Sequence, residues 1–177
     1  RNICEAAGMT EHCDFVEQSA EDSGKRPDLI VRLPGEGLIP IDAKVPYAEY
    51  ERMVAETDPV ERKALLKNHG EVVRTTMLNL AKRDDPSLLG GHIDFTVMFI
   101  PIESVAAAAF EARPDLQQEA IDRSILIVTP VTLIALLRTV GLYWRQEKLA
   151  KNAQEIWEAA RVLHERIQKF QVHLGKV

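Results

Sequence analysis

Asp28, Asp42 and Lys44 have the types and spacing that suit chemistry, because two apolar strand-like runs between Arg26 and Lys44 flank a Gly-rich turn and each carries an acid. Gly35-Glu36-Gly37 suits a three-residue hairpin loop whose last position takes positive φ, which Gly37 would supply without a Cβ clash. That loop sets Pro34 opposite Leu38 and, counting outward, Lys44 opposite Asp28, with Asp42 on the same face two residues away. A two-residue turn would put the acids on opposite faces. Two carboxylates held together repel unless a cation lies between them. Hard oxygen ligands suit Mg²⁺, commonly bound by one or two carboxylates plus substrate phosphates, and phosphodiester cleavage is the chemistry that follows. Without metal, the same repulsion predicts that removing one acid raises stability. The alternative is a hairpin with a surface Asp-Lys pair. Pro40 cannot donate to a ladder, which predicts that its part of the hairpin lies at an edge or beyond the sheet.

The elements that must position these residues follow from local signals. Residues 1–8 end in Ala-Ala-Gly and read as the last turns of a helix stopped by Gly8. Asp14–Gln18 reads as a short strand and Ser19–Lys25 as a loop. Tyr47–Ala55 suits a short helix. Asp58-Pro59 opens a longer one, reaching about Arg83, with an apolar stripe through Leu65, Val72, Val73, Thr76 and Leu80. His69 lies near that stripe without a second His or Cys at ligand spacing, so it reads as packed or hydrogen-bonded. Asp84-Asp85-Pro86 and Gly90-Gly91 mark loops. Asp94–Ile100 and Ile125–Val128 read as buried strands, and Ser104 is placed to cap a helix over Val105–Ala112, with Glu103 in a dipole-complementing role.

Thr129-Pro130 opens another helix. From Val131 to Trp144 its residues are apolar nearly all round, which implies a helix wrapped by other elements, with Trp144 in the core and Arg138 needing a partner or a cleft. Leu149, Ala153, Ile156, Ala160, Leu163, Ile167, Phe170 and Leu174 form a heptad seam, for packing on the core or pairing between chains.

Pro27-Asp28 followed by Asp42-Ala43-Lys44 resembles the PD-(D/E)xK nuclease signature. The wider stretches RPDLIVRLP, IDAKVPYAEY, DFTVMFIPIES, ILIVTPVTLIALLRTV and YWRQEKLAKNAQEI resemble the RmuC family of bacterial DNA recombination proteins, in that order from Arg26 to about Ile156. The resemblance implies an α/β, restriction-endonuclease-like core with a mixed central sheet flanked by helices, plus long C-terminal helices. It implies a Mg²⁺- or Mn²⁺-dependent DNA endonuclease in which Asp28 and Asp42 bind the metal, the Ala43 carbonyl is a third ligand, and Lys44 acts on the water or the phosphate. Glu5 corresponds to the acid that many such nucleases bring from the first core helix, against which stands the ordinary reading of a solvated helix acid. A module of another class, a DNA-binding or scaffolding domain without turnover, is the alternative.

At 177 residues and 46% hydrophobic, the chain suits one domain with a substantial core, read as residues 1–148, and a C-terminal helix over residues 149–177. No apolar run reaches membrane-spanning length, so no membrane contact is expected of this stretch, although RmuC-like proteins commonly carry an N-terminal membrane anchor. Cys4 and Cys13 read as reduced thiols in a bacterial cytoplasmic setting. The net charge of −5 argues against a polyanionic partner until it is divided: residues 130–177 hold eight Lys or Arg and four Glu, +4, which leaves −9 for residues 1–129. Arg138, Arg145, Lys148 and Lys151 are therefore the candidate DNA-binding residues, with plain helix solvation as the alternative.

Overall fold

Short runs rich in Ile, Val, Leu and Phe form the sheet, as expected of side chains that fit a pleated, buried surface. In a computed structural model of the chain, residues 2–9, 13–15, 27–83 and 92–174 are described. The strands are β1 (Cys13–Phe15), β2 (Leu29–Arg32), β3 (Leu38–Ala43), β4 (Thr96–Phe99) and β5 (Ile125–Val128), side by side in chain order. β1 to β3 form an antiparallel meander, and β4 and β5 add in parallel to β3. The fold is thus α/β with a mixed sheet. The first strand is placed at Cys13–Phe15 rather than Asp14–Gln18, and Val16–Gln18 lie outside the described residues. So do the expected loops Ser19–Lys25, Asp84–Pro86 and Gly90–Gly91.

Parallel neighbours need crossovers, and the helices supply them. Between β3 and β4 run α2 (Tyr47–Ala55) and α3 (Pro59–Ala81); between β4 and β5 run α4 (Glu103–Ala112) and α5 (Leu116–Ile121). Asp58 caps α3 as expected, its carboxylate accepting from Val60 N at 3.0 Å. Val73, Met77 and Leu80 of α3 pack with Met98, Ile100 and Ile127 against one face of the sheet. Each such side chain contributes about 1.5–3 kcal/mol on burial. His69 is buried there, within hydrogen-bond distance of the Val105 carbonyl at 2.9 Å, a packed histidine as its spacing implied.

The opposite face is covered by α1 (Asn2–Ala6) and the first part of α6 (Pro130–Leu174), through Cys4, Met9, Leu133, Leu137 and Val140 against Val31, Ile39, Ile41 and Val97. α6 is a single helix of 45 residues, with no break at 148/149. Its first turns are not wrapped: Val131, Leu142 and Tyr143 are exposed, and only the stripe Leu133, Leu137, Val140 is buried. The apolar run reads as all-round because a second, exposed apolar stripe accompanies the buried one. Beyond it, residues 151–169 are exposed throughout, the seam residues Ile156, Leu163 and Ile167 included.

Ser104 does not cap α4. The helix starts at Glu103, with Ile102 at the cap position and no side-chain cap. Glu103 stands in the first turn of α4, as expected of an acid complementing the helix dipole, and also accepts from Val131 N at 3.4 Å in the first turn of α6.

Candidate active site

The hairpin register differs from the one its glycines imply. Pairing runs Leu29↔Ile41, Ile30↔Pro40, Val31↔Ile39 and Arg32↔Leu38, so Leu38 faces Arg32 instead of Pro34 and the register is displaced by two residues. The connection is a 3-10 turn over Pro34–Glu36 closed by Leu33 N–H donating to the Gly37 carbonyl at 2.8 Å. Positive φ falls on Gly35 (76°) and Glu36 (69°), whereas Gly37 is extended at φ −71°. Space around Gly37 is tight, since a Cβ there would lie 3.1 Å from the Leu33 Cβ.

A slip of two preserves parity, so the acids still share a face. One step beyond Leu29↔Ile41 brings Asp28 across from Asp42, and Lys44 is no longer Asp28's partner. Since Leu33 and Gly37 form a hydrogen-bonded pair and pairs alternate, the position of Asp28 and Asp42 would be of the other kind, but Asp28 itself lies just outside β2. The same alternation explains Pro40, which is buried in an interior strand, not at an edge. Its nitrogen faces β4, where the ladder begins only at Ile41↔Val97, so no bond is lost. Where β2 stops, the Asp28 side chain continues the ladder: Oδ2 accepts from Ala43 N at 2.7 Å.

Asp42 is 1% exposed and lies on the α3 face, level with Met98. A buried carboxylate requires compensation. Arg83, just past the end of α3, donates from Nη1 to Oδ1 at 2.6 Å. The Lys44 ammonium lies 2.5 Å from Oδ2, yet its alignment leaves Oδ2 without a hydrogen-bond donor. Distance decides Coulomb attraction, so Lys44 counts as an ion-pair partner all the same.

The donor chemistry suits a hard divalent cation, since Asp28 and Asp42 offer carboxylate oxygens at one end of the hairpin, although Asp42 already faces a cation on each oxygen. Among the described residues no third Asp, Glu, His or Cys joins them. Glu5 is placed elsewhere. It lines a cleft of about 1020 Å³ between α1 and α6, together with Arg138, Arg145, Lys148 and Lys151, so the structure gathers all four basic candidates and adds the acid expected at the metal. Arg138 is exposed into this cleft, which removes the need for a buried partner. Trp144, half-buried at its wall, packs on the core cluster.

Arg83 is the site residue the sequence conceals. It belongs to no motif and stands 41 positions from Asp42. The available signal was the acid itself, since an Asp inside an apolar strand demands a cation from somewhere in the fold.

No helix among the described residues is long and apolar enough to cross a membrane. No solved structure matches the chain. The chain is 36% identical over 180 residues to the DNA recombination protein RmuC homolog of Pseudomonas aeruginosa, covering 99% of this chain and 40% of that protein. It is 33% identical to the homolog of Zymomonas mobilis, over 98% of this chain and 40% of the relative. With the DNA recombination protein RmuC of Escherichia coli K12 it shares 34% identity over 95% of its length and 36% of that protein's. It therefore spans well under half the length of these relatives. The model of the RmuC family matches residues 1–177, and on that end-to-end match the chain belongs to the RmuC family.

Proposed function

We propose that this domain is a Mg²⁺-dependent DNA nuclease of the PD-(D/E)xK type, on a restriction-endonuclease-like core, serving DNA recombination or genome maintenance. The observation that carries the reading is that Asp28, through the Ala43 N–H, and the buried Asp42, through Lys44, are held at the same end of the β2–β3 hairpin. The sheet supports it, since an antiparallel hairpin bearing the acids is extended by two parallel strands. The names of the relatives support the recombination setting. Asp28, Asp42 and the Ala43 carbonyl would hold the ion, which when bound neutralises phosphate charge and acidifies a water. Lys44, 37% exposed, can reach from the buried acid to solvent and offset charge developing on the phosphate. The basic cleft of Arg138, Arg145, Lys148 and Lys151 would grip the backbone through salt-sensitive phosphate contacts.

A second reading rests on a specific observation. Arg83 and Lys44 already compensate Asp42, as a scaffold that binds DNA without cutting it would require for stability alone. The discriminating experiment incubates the purified chain with single-stranded, duplex and branched DNA, with and without Mg²⁺ or Mn²⁺, beside Asp42→Asn and Arg145→Ala/Lys148→Ala. Metal-dependent cleavage lost in Asp42→Asn, with binding weakened and less salt-dependent in the double variant, supports the nuclease. DNA bound and left intact in the presence of metal supports the scaffold.

A further inference from the structure

Asp42 holds two cations, and they differ in kind. Arg83 is 9% exposed and aligned on Oδ1 at 2.6 Å, whereas Lys44 is 37% exposed and makes no hydrogen bond to the carboxylate. We infer that Arg83 is a positioning residue that competes with the divalent ion for Asp42 and passes its guanidinium to a substrate phosphate, so that metal and DNA bind cooperatively. This rests on the reading of Asp28 and Asp42 as the metal ligands.

The physical basis is a conflict over one buried carboxylate. Two cations on the same group repel at short range, so an arginine seated on Oδ1 weakens divalent binding in the absence of DNA. A phosphodiester relieves the conflict. Guanidinium donors form a fork that matches phosphate oxygens two at a time, and a guanidinium drawn to phosphate releases Oδ1. Arg83 also holds the Asp42 carboxylate in place while no metal is bound. Linkage makes the effect reciprocal: the factor by which DNA tightens the metal is the factor by which the metal tightens DNA.

The test is calorimetric titration of Mn²⁺ into the parent chain, Arg83→Gln, Arg83→Lys and Asp42→Asn, each with and without a short DNA duplex of non-cleavable backbone. Without DNA, Arg83→Gln should bind Mn²⁺ about tenfold tighter than the parent, the factor carried by one competing charge-assisted hydrogen bond. DNA should tighten Mn²⁺ binding by a larger factor in the parent than in Arg83→Gln, where only the direct metal–phosphate contribution is left, with Arg83→Lys between the two. If Arg83→Gln binds Mn²⁺ no tighter while Asp42→Asn loses binding, Arg83 is a structural counter-ion only; the inference falls and the proposed site stands. Equal uptake by Asp42→Asn and the parent would overturn the site and the inference together. Should Arg83→Gln fail to fold, the same comparison is decided on Arg83→Lys.

Discussion

The Trp144 indole donates from Nε1 to the Arg32 carbonyl at 2.9 Å, tying the long helix to the end of β2 beyond the last residue that β1 pairs. The bond fixes how α6 lies on the sheet's face. Trp144→Phe keeps an aromatic body against the core and deletes the donor. The expected cost is about 1–2 kcal/mol, read as a lower urea midpoint with unchanged slope. An unchanged midpoint would show that the contact contributes nothing.

Asp42→Asn is expected to destabilise the metal-free chain by about 1.5–3 kcal/mol, because it strips a charge-assisted bond from a guanidinium that is itself mostly buried. This reverses the expectation from repelling carboxylates alone, since Arg83 and Lys44 already offset that repulsion. Lys44→Ala, at a half-exposed site, should cost about 0–1 kcal/mol and spare most metal binding. Thermal melts of both variants beside Mn²⁺ titrations check the separation, and equal losses in the two would refute it.

Legibility followed range. The Asp58 cap of α3 and the run Ile125–Val128 were readable because the signals lie within a few neighbouring residues. The shared face of Asp28 and Asp42 was readable for another reason: strand side chains repeat every second residue, so an error of two in the turn left the faces intact. The turn itself was not, because Gly35 and Gly37 are both permissive and no local signal marks Gly35 and the non-glycine Glu36 as the positions of positive φ. Arg83 and the place of Glu5 depend on contacts between distant elements, which no local pattern encodes.

Ile156→Asp or Leu163→Asp should convert a dimer into folded monomers if the seam of α6 pairs with a second copy. Both side chains are exposed, at 70% and 59%, so neither change should unfold the chain. Sedimentation at several concentrations reads the outcome, and a parent that is monomeric throughout removes self-pairing.

Acid should loosen the helices behind the sheet before it reaches the core. The Arg74 guanidinium holds the Glu119 carboxyl below its ordinary value, and Arg113 does the same for Asp115. A carboxyl whose folded pKa is depressed binds its proton more readily when unfolded. Its stabilisation is therefore complete above the ordinary values, 4.5 for Glu and 3.8 for Asp, and is lost as pH falls through the lower folded ones. Urea midpoints should fall below about pH 4.5, and Glu119→Gln should flatten that fall. A parallel fall in the variant would exclude the Arg74 pair as its source.

Because α6 is unbroken from Pro130 to Leu174, it acts as a protractor as well as a spacer, about 67 Å long at roughly 1.5 Å per residue. The angle at which the far seam meets a partner fixes the direction in which Arg138 and Arg145 point, with no hinge to absorb a mismatch. Inserting one residue after Asn152 would turn the two ends by about 100° relative to each other. Inserting a run of seven would restore their alignment to within about 20° and leave only a longer reach.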